Sequence, residues 1–300
     1  MGLELPKRAR RLALGATSGA ALLFLSGCDA EGKSQLERLA MPVPATKEAQ
    51  HIYDLWQWAW LAAILTGILV WGLIFYAVIA YRRRSESEIP VQIRYNLPIE
   101  ILYTVAPVMM VIVFFFFTVK TQDQALHYVD NPDDTVTVVG QQWSWTFNYT
   151  DVDSLDGKTV HDVGTTAEPP TLYLVKDSEV NVTLYSPDVI HSFWVPDFLF
   201  KMDVVPGRQK YNHFTLTPDR SGTFEGRCAE LCGVYHSRML FDVKVVSQDQ
   251  FDAHMRKLES EGLVGLNLGG SEVNVQDGLE PSTDNSGTDA EELNDKGGEQ

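Results

Sequence analysis

Two long apolar segments, at about 55–81 and about 99–119, dominate the hydrophobic pattern of the first half of the chain. Each is close to the ~20 residues that an α-helix needs to cross the hydrocarbon core of a membrane. The first contains no Asp, Glu, Lys, Arg or His, and the second contains four consecutive phenylalanines at 114–117, which would be costly to expose to water. A buried hairpin in a soluble domain is the alternative, but the pattern favours a transmembrane hairpin over residues 54–120.

The segment between the two helices, residues 82–98, sets their expected direction. Positively charged loops stay on the cytoplasmic side of a membrane. The arginines of this segment are Arg82, Arg83, Arg84 and Arg94. A tyrosine and three tryptophans at 53–60 are typical of the membrane interface. We therefore expect both outer ends of the hairpin, and the domain that follows, on the extracytoplasmic side.

After residue 120 the pattern changes to short alternating runs, such as TVTVVG, EVNVTLY and MLFDVKVV, separated by Gly, Pro, Asp and Asn. Alternation with a period of two predicts β-strands, and many short strands at this spacing predict an all-β sandwich or barrel over residues 121–260. Ser247 and Gln250 have the spacing of a capping box, which predicts a short helix at the end of this domain. The polar stretch 151–171 has no assigned role.

The two ends of the chain differ from the rest. Residues 1–27 combine a basic start, an apolar run and the ending LSGC, which predicts a signal peptide of bacterial lipoprotein type, cleaved before a lipidated Cys28. A plain signal peptide or an uncleaved anchor is the alternative. Residues 28–53 would be an extracytoplasmic segment, and the expected location is the plasma membrane of a bacterium. Residues 261–300, with ten acidic residues and one lysine, predict a disordered tail.

Charge narrows the choice of partners. The formal net charge is −16, of which the tail contributes −9. Phosphate backbones select basic surfaces, so this charge argues against nucleic acid, whereas it permits a basic protein partner. Membrane lipid is the other partner that the hairpin predicts.

Two of the three cysteines fall in one short window, CAELCGVYHSRM. In an oxidising compartment the simplest interpretation is a disulfide between Cys228 and Cys232. His236 and Met239 lie in the same window, however, and His191 lies in a separate stretch, SPDVIHSFWVP. Thiolates, imidazoles and a thioether form a soft ligand set that suits copper, whereas zinc, the competing metal, rarely recruits methionine.

This window resembles the binuclear copper loop (CuA) of subunit II of haem–copper cytochrome c oxidases, and the resemblance covers roughly residues 50–258. It implies a cupredoxin-like Greek-key domain. It also implies that the Glu230 side chain binds a magnesium or manganese ion shared with subunit I; a solvent-exposed loop acid is the alternative. The segment KMDVVPGR, with Asp203, Pro206 and Arg208, resembles a family segment near that ion. The implied ligands of the two coppers are Cys228 and Cys232 as bridges, His191 and His236 as terminal ligands, and Met239 and the carbonyl oxygen of Glu230 as axial ligands.

Two further segments match the same family. GQQWSWTFNY resembles its aromatic segment, which implies that electrons from cytochrome c enter at Trp143. The alternative is that Trp143 and Trp145 are ordinary aromatic residues of a strand. YNLPIEILYTVAP resembles the start of the second membrane helix, which implies that Glu100 stands at the entrance of a proton channel rather than being only an interfacial carboxylate.

The resemblance implies subunit II of a respiratory cytochrome c oxidase. Electrons from cytochrome c, or from a membrane-bound c-type haem donor, would pass through the copper pair to haem in subunit I, where oxygen is reduced to water and protons are translocated. No catalytic residue is expected in this chain, although its complex, with subunit I and other oxidase subunits, is an enzyme. The alternatives are a quinol oxidase subunit, which lacks the copper ligands, nitrous oxide reductase, which should not carry the hairpin, and a copper-binding or copper-delivery lipoprotein on the outer face of the membrane.

Overall fold

The computed structural model describes residues 35–89, 91–207 and 210–270. The predicted signal peptide, Cys28, Arg208 and residues 271–300 of the predicted tail lie outside the described residues. The chain divides into two compact units between Val43 and Pro44. In the described part of the first unit, the Arg38 guanidinium donates to the carbonyl oxygen of Met41 at 3.1 Å. The second unit contains the helical hairpin and the β-domain.

Two helices form the hairpin, α1 (Lys47–Ala80) and α2 (Leu97–Ala125). Both are long and apolar enough to cross a membrane, and the most apolar window of each contains no buried residue, as expected for side chains that face lipid or neighbouring helices. α1 begins earlier than predicted because the Thr46 side chain accepts a hydrogen bond from the Ala49 N–H at 3.1 Å and caps the helix. Hydropathy does not detect such polar end turns, and the end of α2 was predicted too early for the same reason.

The β-domain is a sandwich of two five-stranded sheets. One sheet has the strand order β3-β2-β1-β5-β8 and the other β4-β10-β9-β6-β7, which confirms the predicted all-β architecture. The pairs β1–β5 and β10–β4 are parallel, so each sheet is mixed. The strands are β1 (Asp134–Gln141), β2 (Ser144–Val152), β3 (Lys158–Val163), β4 (Thr171–Val175), β5 (Val180–Tyr185), β6 (His191–Val195), β7 (Phe200–Val204), β8 (Asn212–Leu216), β9 (Gly222–Cys228) and β10 (Leu240–Val246).

Aromatic rings fill the space between the two sheets. The ring centroids of Trp145 and Phe241 lie 5.3 Å apart, and those of Phe193 and Phe241 lie 5.0 Å apart. A side chain at Gly226 would collide with the Phe241 ring, so this position requires glycine. Phe193 and Phe241 lie near the starts of β6 and β10, and the cluster therefore fixes two strands that carry candidate ligands.

A helix closes the domain. α3 (Gln248–Ser260) buries Phe251, Met255 and Leu258 against the sandwich. The predicted capping box is present: the Ser247 N–H donates to the side-chain oxygen of Gln250 at 3.2 Å.

Two stretches without a predicted strand or helix belong to the sandwich. Within 151–171, a 3-10 turn (Asp153–Leu155) and β3 add an edge strand beside β2. Residues 261–270 were predicted to begin the disordered tail, but they run along this sheet and hydrogen-bond to it. The prediction was wrong here because hydrogen bonds to the sheet and the packing of Leu263 against the core order this stretch, and neither follows from the overall composition of the tail.

Hydrogen bonds beside β8 join the hairpin to the sandwich. The Lys47 N–H donates to the carbonyl oxygen of Thr217 at 3.0 Å, and the Thr217 N–H donates to the buried Glu48 carboxylate at 2.9 Å. At the other end of the hairpin, the Thr215 N–H donates to the carbonyl oxygen of His127 at 3.0 Å. Both outer helix ends thus lie beside one strand, as a hairpin with both ends on one side of the membrane requires.

Candidate metal centre

Three strands bring the predicted copper ligands together. β9 ends at Cys228, β10 begins directly after Met239, and β6 begins at His191. β6 is the neighbour of β9, with Phe193 opposite Cys228. His191 therefore lies beside the cysteine loop in spite of its distance along the chain.

Five side chains from these elements converge on one point. The Sγ atoms of Cys228 and Cys232 lie 3.8 Å apart. The Cys228 Sγ lies 3.9 Å from the Nδ1 of His191, while the Cys232 Sγ lies 3.6 Å from the Nδ1 of His236 and 3.8 Å from the Sδ of Met239. The sulfur atoms of a disulfide lie about 2.05 Å apart, so the two cysteines are free. They do not form the disulfide that an oxidising compartment would favour.

The residues of this group differ in their exposure to solvent. The side chains of Cys228, Cys232, His191 and Met239 are buried, whereas His236 is half-buried. The carbonyl oxygen of Glu230 lies 3.2 Å from the Cys228 Sγ, but the residue itself is exposed. Glu230 thus presents its backbone to the sulfur atoms and its carboxylate to the outside.

The two thiols do not ionise alike. The hydrogen bond from Cys232, together with those from His191 and the backbone, lowers the pKa of Cys228 to about 3 against the opposing effect of burial. The resulting thiolate, with burial, raises the pKa of Cys232 well above its ordinary value. In the metal-free protein, one thiolate and one thiol therefore share the site, and metal binding must displace the second proton.

Asp188 positions His191 and was not identified from the sequence. Its Oδ1 lies 2.9 Å from the His191 Nε2, and its Oδ2 accepts the Gln142 N–H at 2.7 Å. Burial alone would raise the pKa of Asp188, but the hydrogen bonds from His191 and Gln142 outweigh it and lower this pKa. Burial alone would lower the pKa of His191, but the hydrogen bond to Asp188 outweighs this effect and raises the pKa. The only signal in the sequence was a carboxylate three residues before a candidate ligand.

The donor set fits copper. The donor atoms of His191, Cys228 and Cys232 all lie within 4.8 Å of one another, close enough to share a metal. With its Nε2 on the Asp188 carboxylate, His191 directs Nδ1 to the sulfur atoms, which is the usual arrangement of a metal-binding imidazole. The thioether of Met239 extends a thiolate and imidazole set that copper prefers.

Comparisons with known proteins agree with this chemistry. Residues 134–246 match the family model described as cytochrome C oxidase subunit II, periplasmic domain, and residues 34–121 match cytochrome C oxidase subunit II, transmembrane domain. A probable cytochrome c oxidase subunit 2 of Streptomyces avermitilis is 46% identical over 291 residues, which cover 85% of this chain and 89% of that protein. This chain belongs to the cytochrome c oxidase subunit II family.

A second relative supports the same assignment. Cytochrome c oxidase subunit 2 of Corynebacterium glutamicum is 33% identical to this subunit II chain and covers 81% of it, with 83% of its own length aligned. Among solved structures, the periplasmic domain of subunit II of cytochrome oxidase of Bradyrhizobium japonicum is 25% identical, with a TM-score of 0.38, and covers 44% of this chain and 96% of that one. The family assignment favours the oxidase hypothesis over a copper-delivery lipoprotein.

In this subunit II chain, Trp143 lies in the turn between β1 and β2, not within a strand. Simple strand alternation therefore does not describe it. Its Nε1–H donates to the carbonyl oxygen of Cys232 at 3.2 Å, and its ring centroid lies 5.1 Å from that of Tyr235. The side-chain amide of Gln142 donates to the same carbonyl oxygen at 2.6 Å. Trp143 is thus hydrogen-bonded directly to the cysteine loop.

Two other predicted residues lie away from the centre. Glu100 is half-buried in the first turn of α2, where its carboxylate accepts the Asn96 N–H at 2.8 Å, so it also helps to cap this helix. Asp203 is exposed on β7, opposite Ser192 of β6, and the Ala229 N–H donates to the Ser192 carbonyl oxygen at 3.0 Å. Asp203 and Glu230 therefore flank the same strand.

Proposed function

We propose that this subunit II accepts electrons from a c-type cytochrome at a two-copper centre and delivers them to haem in subunit I, where oxygen is reduced to water and protons are translocated. The observation that carries the proposal is the convergence of two free thiols, two imidazoles and a thioether within hydrogen-bonding and van der Waals distance. The proposed ligands are His191, Cys228, Glu230 through its carbonyl oxygen, Cys232, His236 and Met239.

When bound by these residues, a copper pair would supply a one-electron acceptor. The protein residues contribute a fixed geometry. The aromatic cluster of the core holds β6 and β10, and Asp188 fixes the ring of His191. Burial of the cysteines and Met239 excludes water. A rigid, dry site limits the rearrangement that accompanies each electron transfer.

Trp143 is the residue at which we propose that electrons enter. Its ring is only 6% exposed, but its N–H is bonded to the carbonyl oxygen of a proposed ligand, Cys232. One hydrogen bond therefore links the indole to the cysteine loop. Around it, Leu231 and Val234 are 78% and 82% exposed, which is the apolar surface that a protein partner would cover. We name Trp143, Leu231, Val234 and Tyr235 the donor face.

A second metal ion belongs to the same proposal. The exposed carboxylate of Glu230 is available to a hard cation, and magnesium and manganese prefer oxygen ligands. Asp203 lies on β7, on the other side of β6. The subunit I surface would complete this site, so Glu230 would connect the copper centre to the subunit interface.

The remaining assignments concern the membrane. We propose that the hairpin spans the bacterial plasma membrane next to subunit I and lipid, with the sandwich outside and the arginine-rich loop in the cytoplasm. Glu100, at the cytoplasmic start of α2, would receive protons for subunit I. Cys28 would carry the lipid anchor.

Loading the protein with copper tests the proposal. The purified chain should become purple and give a mixed-valence electron resonance signal, and Cys228→Ser or Cys232→Ser should abolish both. Ser178→Ala is a matched control, because this buried residue bonds Asp134 away from the centre. A colourless protein that prefers zinc would refute the proposal, as would normal electron acceptance by the Cys232→Ser variant.

A further inference from the structure

The loop between β9 and β10, residues 229–239, has little apolar burial to fix the shape of its first half. Leu231 and Val234 are exposed, and Cys232 is the buried residue between them. Apolar side chains stabilise a conformation by leaving water, and these two do not. Before a metal binds, the position of Cys232 therefore depends on hydrogen bonds between the loop and the rest of the domain.

Two side chains of the turn between β1 and β2 hold the Cys232 backbone. The side-chain amide of Gln142 donates to the Cys232 carbonyl oxygen at 2.6 Å, and the Trp143 indole N–H donates to the same oxygen at 3.2 Å. A carbonyl oxygen has two lone pairs and can accept both bonds. The Gln142 bond is the shorter of the two. The turn thus fixes this carbonyl group in the metal-free protein.

The next residue of the loop fits closely against the same turn. A Cβ at Gly233 would lie 2.9 Å from a ring carbon of Trp143 and 3.2 Å from the side-chain nitrogen of Gln142. Gly233 also has a φ of +130°, which residues with a side chain rarely adopt. Glycine at residue 233 therefore allows the loop to approach Gln142 and Trp143 closely enough for both hydrogen bonds.

Gln142 also contacts the residue that orients His191. Its backbone N–H donates to the Asp188 Oδ2 at 2.7 Å, and the Asp188 Oδ1 lies 2.9 Å from the His191 Nε2. Hydrogen bonds therefore connect His191 through Asp188 and Gln142 to Cys232. His191 lies on β6 and Cys232 on the loop, so this connection sets the position of one proposed ligand relative to the other. Replacing the Gln142 side chain removes only the bond to Cys232, because the N–H that Asp188 accepts belongs to the backbone.

We propose that Gln142 is a positioning residue that holds Cys232 in its metal-binding position relative to His191 before copper arrives. The inference rests on the proposed copper centre and deepens it, because it assigns a role to a residue that binds no metal itself. Ligands that are ordered in advance lose less conformational entropy when a metal binds. They also rearrange less when the centre gains or loses an electron.

Gln142→Met in the full-length, metal-free chain tests this role. Methionine has a similar length but no donor for the Cys232 carbonyl oxygen. Amide hydrogen exchange of residues 229–239 should become about 3- to 10-fold faster, and copper affinity should fall by about the same factor, because one neutral hydrogen bond is lost. Exchange in β5 and β8 should not change, whereas a general loss of stability would accelerate exchange in these strands as well.

Gln141→Met is the matched control. Gln141 precedes Gln142 in the chain, and its side-chain oxygen accepts the Gly270 N–H at 3.1 Å. This variant should retain the wild-type exchange rates of residues 229–239 and the wild-type copper affinity. Gln142 would not position Cys232 if Gln142→Met also retained both, if Gln141→Met had the same effect, or if exchange in β5 and β8 rose equally.

Gly233→Ala tests the close approach of the loop with the Gln142 side chain intact. The added methyl group should push the loop away from the turn and accelerate exchange of residues 229–239 at least as much as Gln142→Met does. Gly222→Ala is its control, because Gly222 also has a positive φ, +149°, but a Cβ there would lie 3.6 Å from its nearest neighbour, an ordinary contact. Equal exchange rates of residues 229–239 in the two variants would overturn the inference. A wild-type chain that bound zinc in preference to copper would instead refute the proposed function, while the exchange measurements, which need no metal, would still decide the role of Gln142.

Discussion

Replacement of Asp188 by Asn should weaken copper binding without changing the fold. The carboxylate uses Oδ1 for His191, at 2.9 Å, and for the Val189 N–H, at 2.5 Å, while Oδ2 accepts the Gln142 N–H at 2.7 Å. Asn offers one oxygen, so either His191 or Gln142 loses its acceptor. A hydrogen bond to a charged group contributes about 1.5–3 kcal/mol, which corresponds to roughly 10- to 100-fold in copper affinity. Loss of the negative charge should also raise the reduction potential, because it disfavours the more positive oxidised centre.

Copper titration of the metal-free chain, followed by a redox titration of the absorption band, measures both effects. Asp197→Asn is the matched control. Its carboxylate is 32% exposed, against 23% for Asp188, and it pairs with Arg220 rather than with a proposed ligand. If Asp188→Asn and Asp197→Asn gave the same affinity and potential as the wild type, Asp188 would not position His191.

Three other predictions concern the same centre. Met239→Leu should retain copper and the purple colour but change the reduction potential, because a thioether ligand affects the potential of a copper site more than its copper affinity. Loss of copper would contradict this. Trp143→Phe should slow electron transfer from cytochrome c about 10-fold in stopped-flow reduction while leaving the copper spectrum intact, whereas Trp194→Phe, an indole that lies over Arg227, should have little effect. The raised pKa values of His191 and Cys232 mean that both hold protons which copper must displace, so copper affinity should rise from pH 6 to pH 8; titrations that give equal affinity at both pH values would refute this.

The sequence was sufficient for those parts of the molecule that depend on hydrophobic periodicity and on ligand type. The helical hairpin could be predicted because a helix that crosses lipid needs about 20 consecutive apolar residues. The sandwich could be predicted because apolar and polar residues alternate with period two along a strand that has one buried face. The capping box at Ser247 was visible because it depends on local spacing. The cysteine window was visible because methionine and histidine beside two cysteines form an unusual set of donors.

Tertiary hydrogen bonds were the part that the sequence could not predict. Asp188 looked like a loop carboxylate, and only the pairing of β6 with β9 brings His191, and with it Asp188, to the cysteine loop. Gln142 likewise became important through a bond to the carbonyl oxygen of Cys232. Each of these contacts joins residues that are distant along the chain, so no local pattern encodes it.

Residues 263–270 extend this argument to the end of the described chain. The sequence predicted the disordered tail to begin at residue 261 because Gly, Asn, Ser and acidic residues make up most of residues 261–300 as a whole. Here hydrogen bonds to the sheet hold the chain: the side-chain oxygen of Asn148 accepts the Asn267 N–H, and its amide donates to the carbonyl oxygens of Asn267 and Thr137. A buried amide at 0% exposure in the middle of a strand is thus a sign that another segment covers that strand.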